Sequence, residues 1–441
     1  MNRQIYSLGL YCLFPIILLY FLYRGIKDPR YLKHFAERLG FSKKIENSPF
    51  FKAEPKNAKG KTLLIHCASV GETKASIPLI SHLFKNEKFS QIIITNTTPT
   101  GREETEKLIS ILRQLNSSHV KITNYYLPID WSVCCQLFLN RLNLDVAVLM
   151  ETELWPNFIH QCKRKNIPVI LANARMSEKS ATKYKRHPKL TKGIFSELSL
   201  IACQYQSDKT QFLSLDINER KVTCVGSIKF DIKIDKHLKN KQNQLKKLWR
   251  NHRPCWIACS IHPGEFSAVL NCHKELLTEY PNLLLIAVPR HPEQFEALKI
   301  KTKDMQFNYI SRSEGQAPNE MTQLVIGDTM GELTLLCGVA DIAFVGGSLI
   351  ARGGHNPLEP AACGIPVLMG KSDYNFSDVS IIMQDNECLC IVNNKKELAS
   401  KISSLLSQQD KLAQHHEKTQ VLFEKNGQAV IRLTKMIENL I

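Results

Sequence analysis

The chain is short of acid. Its 441 residues carry 41 Asp and Glu against 58 Lys and Arg, a formal charge of +17. Such a surface attracts polyanions, whether nucleic acid, anionic lipid headgroups or phosphorylated substrates, and charge alone does not choose among them. The sequence also lacks a phosphate loop ending in Gly-Lys-Ser/Thr, which argues against a P-loop kinase. It has no Asp-x-Asp pair and no cluster at metal-ligand spacing; His355 beside Asn356 has no nearby partners for a metal. Fourteen cysteines occur singly apart from Cys134 and Cys135. They have neither the spacing of a zinc ribbon nor the density of a secreted disulfide scaffold, so reduced thiols in the cytosol are the plainer reading. Short-period repeats and low-complexity tracts are absent as well.

Charge is missing altogether from Ile5 to Tyr23, a run about long enough to cross a bilayer. Tyrosines stand near both ends, and Arg24, Lys27, Arg30 and Lys33 follow at once. By the positive-inside rule the downstream chain then lies in the cytoplasm. No small-residue cleavage site follows, against a signal peptide. Pro15 permits a kinked or shallow insertion instead of a full crossing. From Arg24 to Lys59 ten Lys or Arg face four Asp or Glu, an excess placed where anionic headgroups would sit.

What is present beyond this point is an alternation of short apolar runs with amphipathic stretches. TLLIHCA (62–68), QIIITN (91–96), DVAVLM (145–150), IPVILAN (167–173) and LSLIACQ (198–204) form one series. CWIACS (255–260), NLLLIAVP (282–289), QLVIGDT (323–329), IAFVGGS (342–348) and IPVLMG (365–370) form a second. Strands this uniformly apolar are buried on both faces, as in parallel sheets covered by helices. Two series in a chain of this length predict two doubly wound domains facing each other across a cleft. The expected division is 1–24 anchor, 25–230 first domain, 231–250 a lysine-rich linker with one exposed helix, and 251–441 second domain, with the last helix free to cross back.

Several strand exits carry chemistry. Glu72 in HCASVGE has two readings: Ser69 and Glu72 are spaced as a capping box, and Glu72 at a sheet's carboxyl edge is also placed to act as a general base. Glu151 and Glu153 in ETELWPN follow DVAVLM directly, either as caps or as ligand-facing acids. Arg175 and Lys229 supply cations at two further exits. In the second series, SIHPGE (260–265) predicts backbone amides offered to an anion at a helix start. Arg290 and His291 lie between two prolines, and Glu332 lies near the start of a helix opened by Asp328 or Thr329. The glycine-rich stretch 344–370 predicts a nucleotide-sugar pocket, its helix start taking phosphate and Glu359 taking ribose hydroxyls.

HCASVGE, TTPTGRE (97–103), ETELWPN, NARMSEKS, GSIKFD, PRHPEQF, DTMGEL and GGSLIARGGHNPLEPAACGIPVLMG, in this order across nearly the whole chain, resemble the bacterial 3-deoxy-D-manno-octulosonic acid (Kdo) transferase family. The resemblance implies a GT-B fold of two Rossmann-like domains with an N-terminal membrane-anchor helix. It also implies an inverting, metal-independent transfer of Kdo from CMP-Kdo to the lipid A precursor in lipopolysaccharide synthesis, with the catalytic domains on the cytoplasmic face of the inner membrane. Carried over by motif, Glu72 matches the general base, and Glu151 and Lys229 match the groups that support the transition state. Pro289, Arg290, Met330, Gly331, Glu332, Asn356, Pro357, Leu358 and Glu359 match the CMP contacts. The implied partners are CMP-Kdo, lipid A precursor and anionic membrane lipids, with no nucleic acid, and neither metal nor other cofactor is expected. Ile261, Gln294 and Ser372 depart from the family's usual Thr, Arg and His. Two readings compete: another membrane-associated GT-B enzyme using a UDP-sugar, and a non-catalytic scaffold binding anionic lipid.

Overall fold

A computed structural model describes residues 2–41, 60–114, 119–232, 234–374 and 376–441; the basic stretch 42–59 lies outside them. The chain divides into two compact units, Met1–Asp231 with Asn426–Ile441, and Ile232–Lys425.

The first unit is built on seven parallel strands: β1 (Lys61–His66), β2 (Phe89–Asn96), β3 (Lys121–Tyr126), β4 (Val146–Met150), β5 (Val169–Ala174), β6 (Leu200–Cys203) and β7 (Val222–Cys224), in the order β3-β2-β1-β4-β5-β6-β7. The interior strands are sealed on both faces. Leu63, Ile65, Ile92, Ile94, Val146 and Val148 pack into one core with the helices Val70–Phe84 and Pro99–Gln114, while Leu64, Ile93, Ala147, Leu149 and Leu171 face a second core on the other side. Hence no polar alternation is visible in their sequences.

The second unit repeats the plan with β8 (Cys255–Ile261), β9 (Leu284–Pro289), β10 (Tyr309–Ser311), β11 (Leu324–Ile326), β12 (Ile342–Val345), β13 (Val367–Met369) and β14 (Leu389–Ile391), in the order β10-β11-β9-β8-β12-β13-β14. In both sheets the chain starts in the middle, fills one side, and returns to lay its next strand on the other side of the first; in the second sheet β10 takes the edge before β11 fills the place beside β9. That reversal is the topological switch point of an open α/β sheet, where the strand ends diverge and leave room for a ligand. It falls between β1 and β4 in the first unit and between β8 and β12 in the second.

One expectation about the organisation is revised. The lysine-rich segment after Asp231 is not an exposed linker: its helix Lys236–Arg250 buries Trp249 and Gln242 within the second unit. The Gln242 amide donates to the Thr334 carbonyl at 2.8 Å, and Arg250 grips Asp341 through two contacts of 2.6 Å. The lysines occupy the opposite face, so composition alone hid a packed amphipathic helix. The end of the chain is split, and its last helix lies with the first unit. The helix Gln409–Asn426 runs up to the end of the second unit, whereas Ala429–Glu438 buries Ala429, Val430, Leu433 and Ile437 in the first unit's core. Asp231 ties it there by accepting the backbone N–H groups of Gln428 and Val430 at 2.5 and 2.7 Å.

The N-terminal apolar run is not one helix. It breaks at Leu13 into Arg3–Cys12 and Phe14–Lys27, bent by 55°. Among the described residues no single helix is long and apolar enough to cross a membrane, whereas this bent pair meets that length and composition together. The first helix is bound to the first unit. Arg3 and Ser7 donate to Asn157, the Tyr6 hydroxyl to Asp130, and the Trp131 indole to the Leu10 carbonyl. Ile5, Leu8, Ile16, Leu19, Tyr20, Tyr23 and Ile26 remain exposed.

Candidate active site

At the first switch point, β1 and β4 run side by side with His66 opposite Leu149. Beyond β1 the chain turns through Cys67–Ser69 into the Val70–Phe84 helix, and Ser69 caps it. Both readings of Glu72 meet here. Its Oε2 accepts the Ala68 N–H at 2.8 Å, its Oε1 accepts the Ser69 hydroxyl at 3.0 Å, and Ser69 Oγ accepts the Glu72 N–H at 3.3 Å. The cap is therefore present, with Glu72 reaching back to the Ala68 N–H one residue before the N-cap. Yet the carboxyl is pushed up to about 7, chiefly by burial and then by the negative charges of Glu153 and Glu151, which outweigh the two hydrogen bonds. A cap needs a carboxylate that is ionised well below neutrality; this one is poised near the working pH of a general base.

The two other acids come from the β4 exit. Glu151 adopts φ +56°, a left-handed turn at the end of the strand. Glu153 accepts the Trp155 indole N–H at 3.1 Å, and burial followed by the charge of Glu151 raises its carboxyl. Trp155 also meets His66 edge-on, with ring centroids 6.0 Å apart. His66 is fully buried and kept neutral, lowered to about 3 by desolvation, so it adds no counter-charge. The structure thus brings Glu72, Glu151 and Glu153 into one acidic group. Lys229 sits in the turn Ile228–Phe230, which packs against the helix headed by Glu72.

The matched nucleotide residues close or follow three strands of the second sheet, β9, β11 and β12. Pro289 closes β9, and the Arg290 N–H donates to the Ile261 carbonyl of β8 at 3.0 Å. Met330, Gly331 and Glu332 follow β11. Met330 is exposed, Gly331 takes φ +80°, and Glu332 pairs with Arg312 at 3.1 Å, which holds its carboxyl below the usual range. Asn356 to Glu359 follow the glycine loop of β12. Asn356 accepts the Leu358 N–H at 3.1 Å and donates to Glu359 at 3.2 Å.

One expectation at this end is overturned. Four amides of SIHPGE and the glycine loop, those of His262, Gly347, Ser348 and Leu349, do not wait for a phosphate, because Glu265, wholly buried, already occupies them. Its carboxylate accepts N–H groups from His262 (3.1 Å), Gly347 (2.7 Å), Ser348 (3.1 Å) and Leu349 (3.1 Å). The anion that the helix start favours is the protein's own. Ser372 reinforces the loop, its hydroxyl accepting the Gly353 N–H at 2.9 Å. Side-chain charge is also at hand for an external anion. Arg290, Arg352, His262, His291 and His355 interact electrostatically around the switch point. Sequence reasoning singled out His291 and His355 separately and missed their convergence with His262. Among the described residues no group of three or more His, Cys, Asp or Glu is arranged to hold a metal ion.

Comparison with known proteins agrees with this architecture. A sequence profile described as 3-deoxy-D-manno-octulosonic-acid transferase (kdotransferase) matches residues 33–232, and one described as glycosyl transferases group 1 matches 275–421. The 3-deoxy-D-manno-octulosonic acid transferase of Haemophilus influenzae is 37% identical over 96% of this chain and 95% of its own length. That of Bordetella pertussis is 28% identical over 86% of each. A solved glycosyltransferase from Rickettsia africae shares the fold, with TM-score 0.54 and 13% identity over 86% of this chain and 98% of its own. The two-unit α/β architecture is the GT-B fold.

Proposed function

Because the chain belongs to the 3-deoxy-D-manno-octulosonic acid transferase family, and is thereby a glycosyltransferase that transfers Kdo in lipopolysaccharide biosynthesis, we propose that CMP-Kdo is the donor, a lipid A precursor the acceptor and Glu72 the general base. The observation that carries the base assignment is a carboxyl at the β1/β4 switch point raised to about 7 by burial and two neighbouring acids. In a single displacement an acceptor hydroxyl gives its proton to Glu72 while its oxygen bonds to the anomeric carbon of Kdo. The bond from that carbon to the phosphate breaks, its electron pair leaving with CMP. Glu151 keeps the proton affinity of Glu72 high, and Lys229 is assigned to offset developing negative charge. Pro289, Arg290, Met330 to Glu332 and Asn356 to Glu359 are assigned to CMP. None of these roles calls for a metal, so excess EDTA should leave the rate unchanged. The deciding experiment is incubation of the purified protein with CMP-Kdo and tetraacylated lipid A precursor, products resolved by mass, for wild type and Glu72→Gln. Near wild-type transfer by the variant would remove Glu72 from the role of base.

The same reading places the protein on the cytoplasmic face of the inner membrane. It is supported by the exposed apolar side chains of Arg3–Cys12 and Phe14–Lys27 and by Arg24, Lys27, Arg30 and Lys33 beside them. A ten-residue helix rises only about 15 Å, half a hydrocarbon core, and its polar side is engaged with Asp130 and Asn157. We assign it to lie in the interface of an anionic leaflet. Flotation with vesicles containing anionic lipid should succeed for wild type and fail for Ile5→Glu/Leu8→Glu, which charges the exposed apolar side of that helix. Equal flotation of the two would overturn the assignment.

A further inference from the structure

The cationic group at the second switch point contains a feature that CMP contacts alone do not explain. His262 Nε2 and His355 Nε2 lie 2.9 Å apart, and the two rings meet edge to edge, their planes 28° apart and their centroids separated by 5.1 Å. The residues are 93 positions apart in sequence. His262 precedes the Pro263–Glu279 helix at the β8 exit, and His355 ends the glycine loop of β12. The approach is built in. A Cβ on Gly347, which has φ +71°, would stand 3.1 Å from His355 Nε2, so only glycine admits the ring there.

Two imidazole nitrogens at this distance require one to carry a hydrogen and the other a lone pair. The neutral pair holds two N–H hydrogens on four nitrogens, and the singly charged pair holds three. A fourth would set two N–H groups against each other, so the pair accepts one positive charge and no more. Its surroundings keep it empty of that charge. His262 faces Arg290, Arg352 and His291, with Glu265 the one acid acting on it. That carboxylate is already shared among four backbone amides. His355 faces Arg290, His262 and His291. Burial first, then these positive neighbours, lower both imidazoles, His355 to about 3. A phosphate arriving among them reverses the sign of the local field and raises their affinity for a proton. Glu265 has taken the amides of Gly347, Ser348 and Leu349, and the positive charge nearest that phosphate is on side chains.

We propose that the His262–His355 pair is a proton-linked phosphate cradle, which takes up one proton together with the phosphate of a nucleoside 5′-monophosphate. The inference rests on the assignment of the second unit to CMP-Kdo and adds to it how the leaving group is stabilised. As the bond between the anomeric carbon and the phosphate oxygen breaks, the phosphodiester monoanion gains that electron pair and becomes a dianion. The shared imidazolium offsets one of its two charges, and no proton needs to leave the pair.

The test is calorimetric titration of the full chain with CMP at pH 8 in two buffers of different ionisation enthalpy. CMP is fully dianionic there, its phosphate titrating at about 6, so any proton taken up is taken up by the protein. Wild type should absorb a substantial fraction of one proton per CMP and none with cytidine. Its CMP affinity should fall by up to about tenfold per pH unit above neutrality. Glutamine keeps the hydrogen-bonding groups but cannot ionise, so His355→Gln and His262→Gln should each abolish the uptake and flatten the pH dependence. The double variant should lose nothing further, because the two rings act as one unit. CMP binding to wild type without proton uptake, or undiminished uptake in both variants, would overturn the proposal while leaving the CMP-Kdo assignment standing. Failure of CMP to bind wild type at any pH would overturn both. The wild-type comparison of CMP with cytidine decides the matter even if a variant folds poorly.

Discussion

The two units share one plan and set side chains of opposite sign at their switch points. Each has seven parallel strands, each starts in the middle, and each has its switch point beside the first strand. At the β1/β4 exit stand Glu72, Glu151 and Glu153; at the β8/β12 exit stand His262, His355 and their arginine neighbours. The same local device, a glutamate in the first turn of the helix after the first strand, is used in opposite senses. Glu72 is left half-buried beside like charges and acquires a proton affinity near neutrality. Glu265 is buried deeper, and four backbone N–H groups satisfy it. The fold sets the address of a ligand, and the side chains around that address set the sign of what binds.

The largest effect expected from breaking this contrast is Glu72→Gln. It should lower kcat by about 10²- to 10⁴-fold, the usual contribution of a general base, with CMP affinity within about twofold of wild type. A melting temperature that falls in proportion to the lost activity would instead make Glu72 a cap only. The two roles also differ in pH dependence. The folded carboxyl is raised from 4.5 to about 7, so its favourable contribution to stability is present below the ordinary carboxylate value and is lost as pH rises through 7. The melting temperature of Glu72→Gln relative to wild type should therefore be more favourable at pH 8 than at pH 5, as differential scanning calorimetry would show. The opposite ordering would contradict the burial argument.

Next in size is Glu265→Gln. One oxygen cannot serve four donors, and the new amide N–H groups face backbone N–H groups. The cost is about 2–4 kcal/mol of stability, read by denaturant unfolding, together with loss of CMP affinity as the glycine loop loosens. An unchanged midpoint would mean the loop is held by other contacts. Arg290→Ala should weaken CMP binding by about 10- to 100-fold, one charge-assisted contact, and leave the acid limb of the pH–rate profile where it was. The smallest effect is Glu153→Gln. Removing one negative neighbour should move that limb, near pH 7 in wild type, to lower pH by a fraction of a unit. A limb that stays put would assign the raised Glu72 to burial alone.

The legibility of the fold followed burial. All ten apolar runs read from the sequence coincide with strands, and the four strands passed over, β3, β7, β10 and β14, are the four edges of the two sheets. An edge strand has a neighbour on one side only and tolerates polar residues. Lys121–Tyr126 reads KITNYY, and the other three span three residues each. The helix Lys236–Arg250 was expected, but as an exposed one, for a related reason: Gln242 and Trp249 are too few against its lysines to announce a buried face. Of the site, Glu72, Glu151 and Glu153 were readable because each follows an apolar run at once. The role of Glu265 was legible in principle, since it follows its helix start at the spacing already recognised for Ser69 and Glu72, but the glycines nearby pointed to a ligand instead.

The sequence by itself determined the interior strands, the caps and glycines at their exits, and an ordered set of motifs specific enough to identify the family, because these depend on residues a few positions apart. Only the tertiary structure decided which exits share a switch point, and with that the charge state of what stands there. Glu72 is raised by acids about eighty positions away, and His262 meets a partner 93 positions on. Proton affinity depends on burial and on distance in space, and neither can be read along the chain.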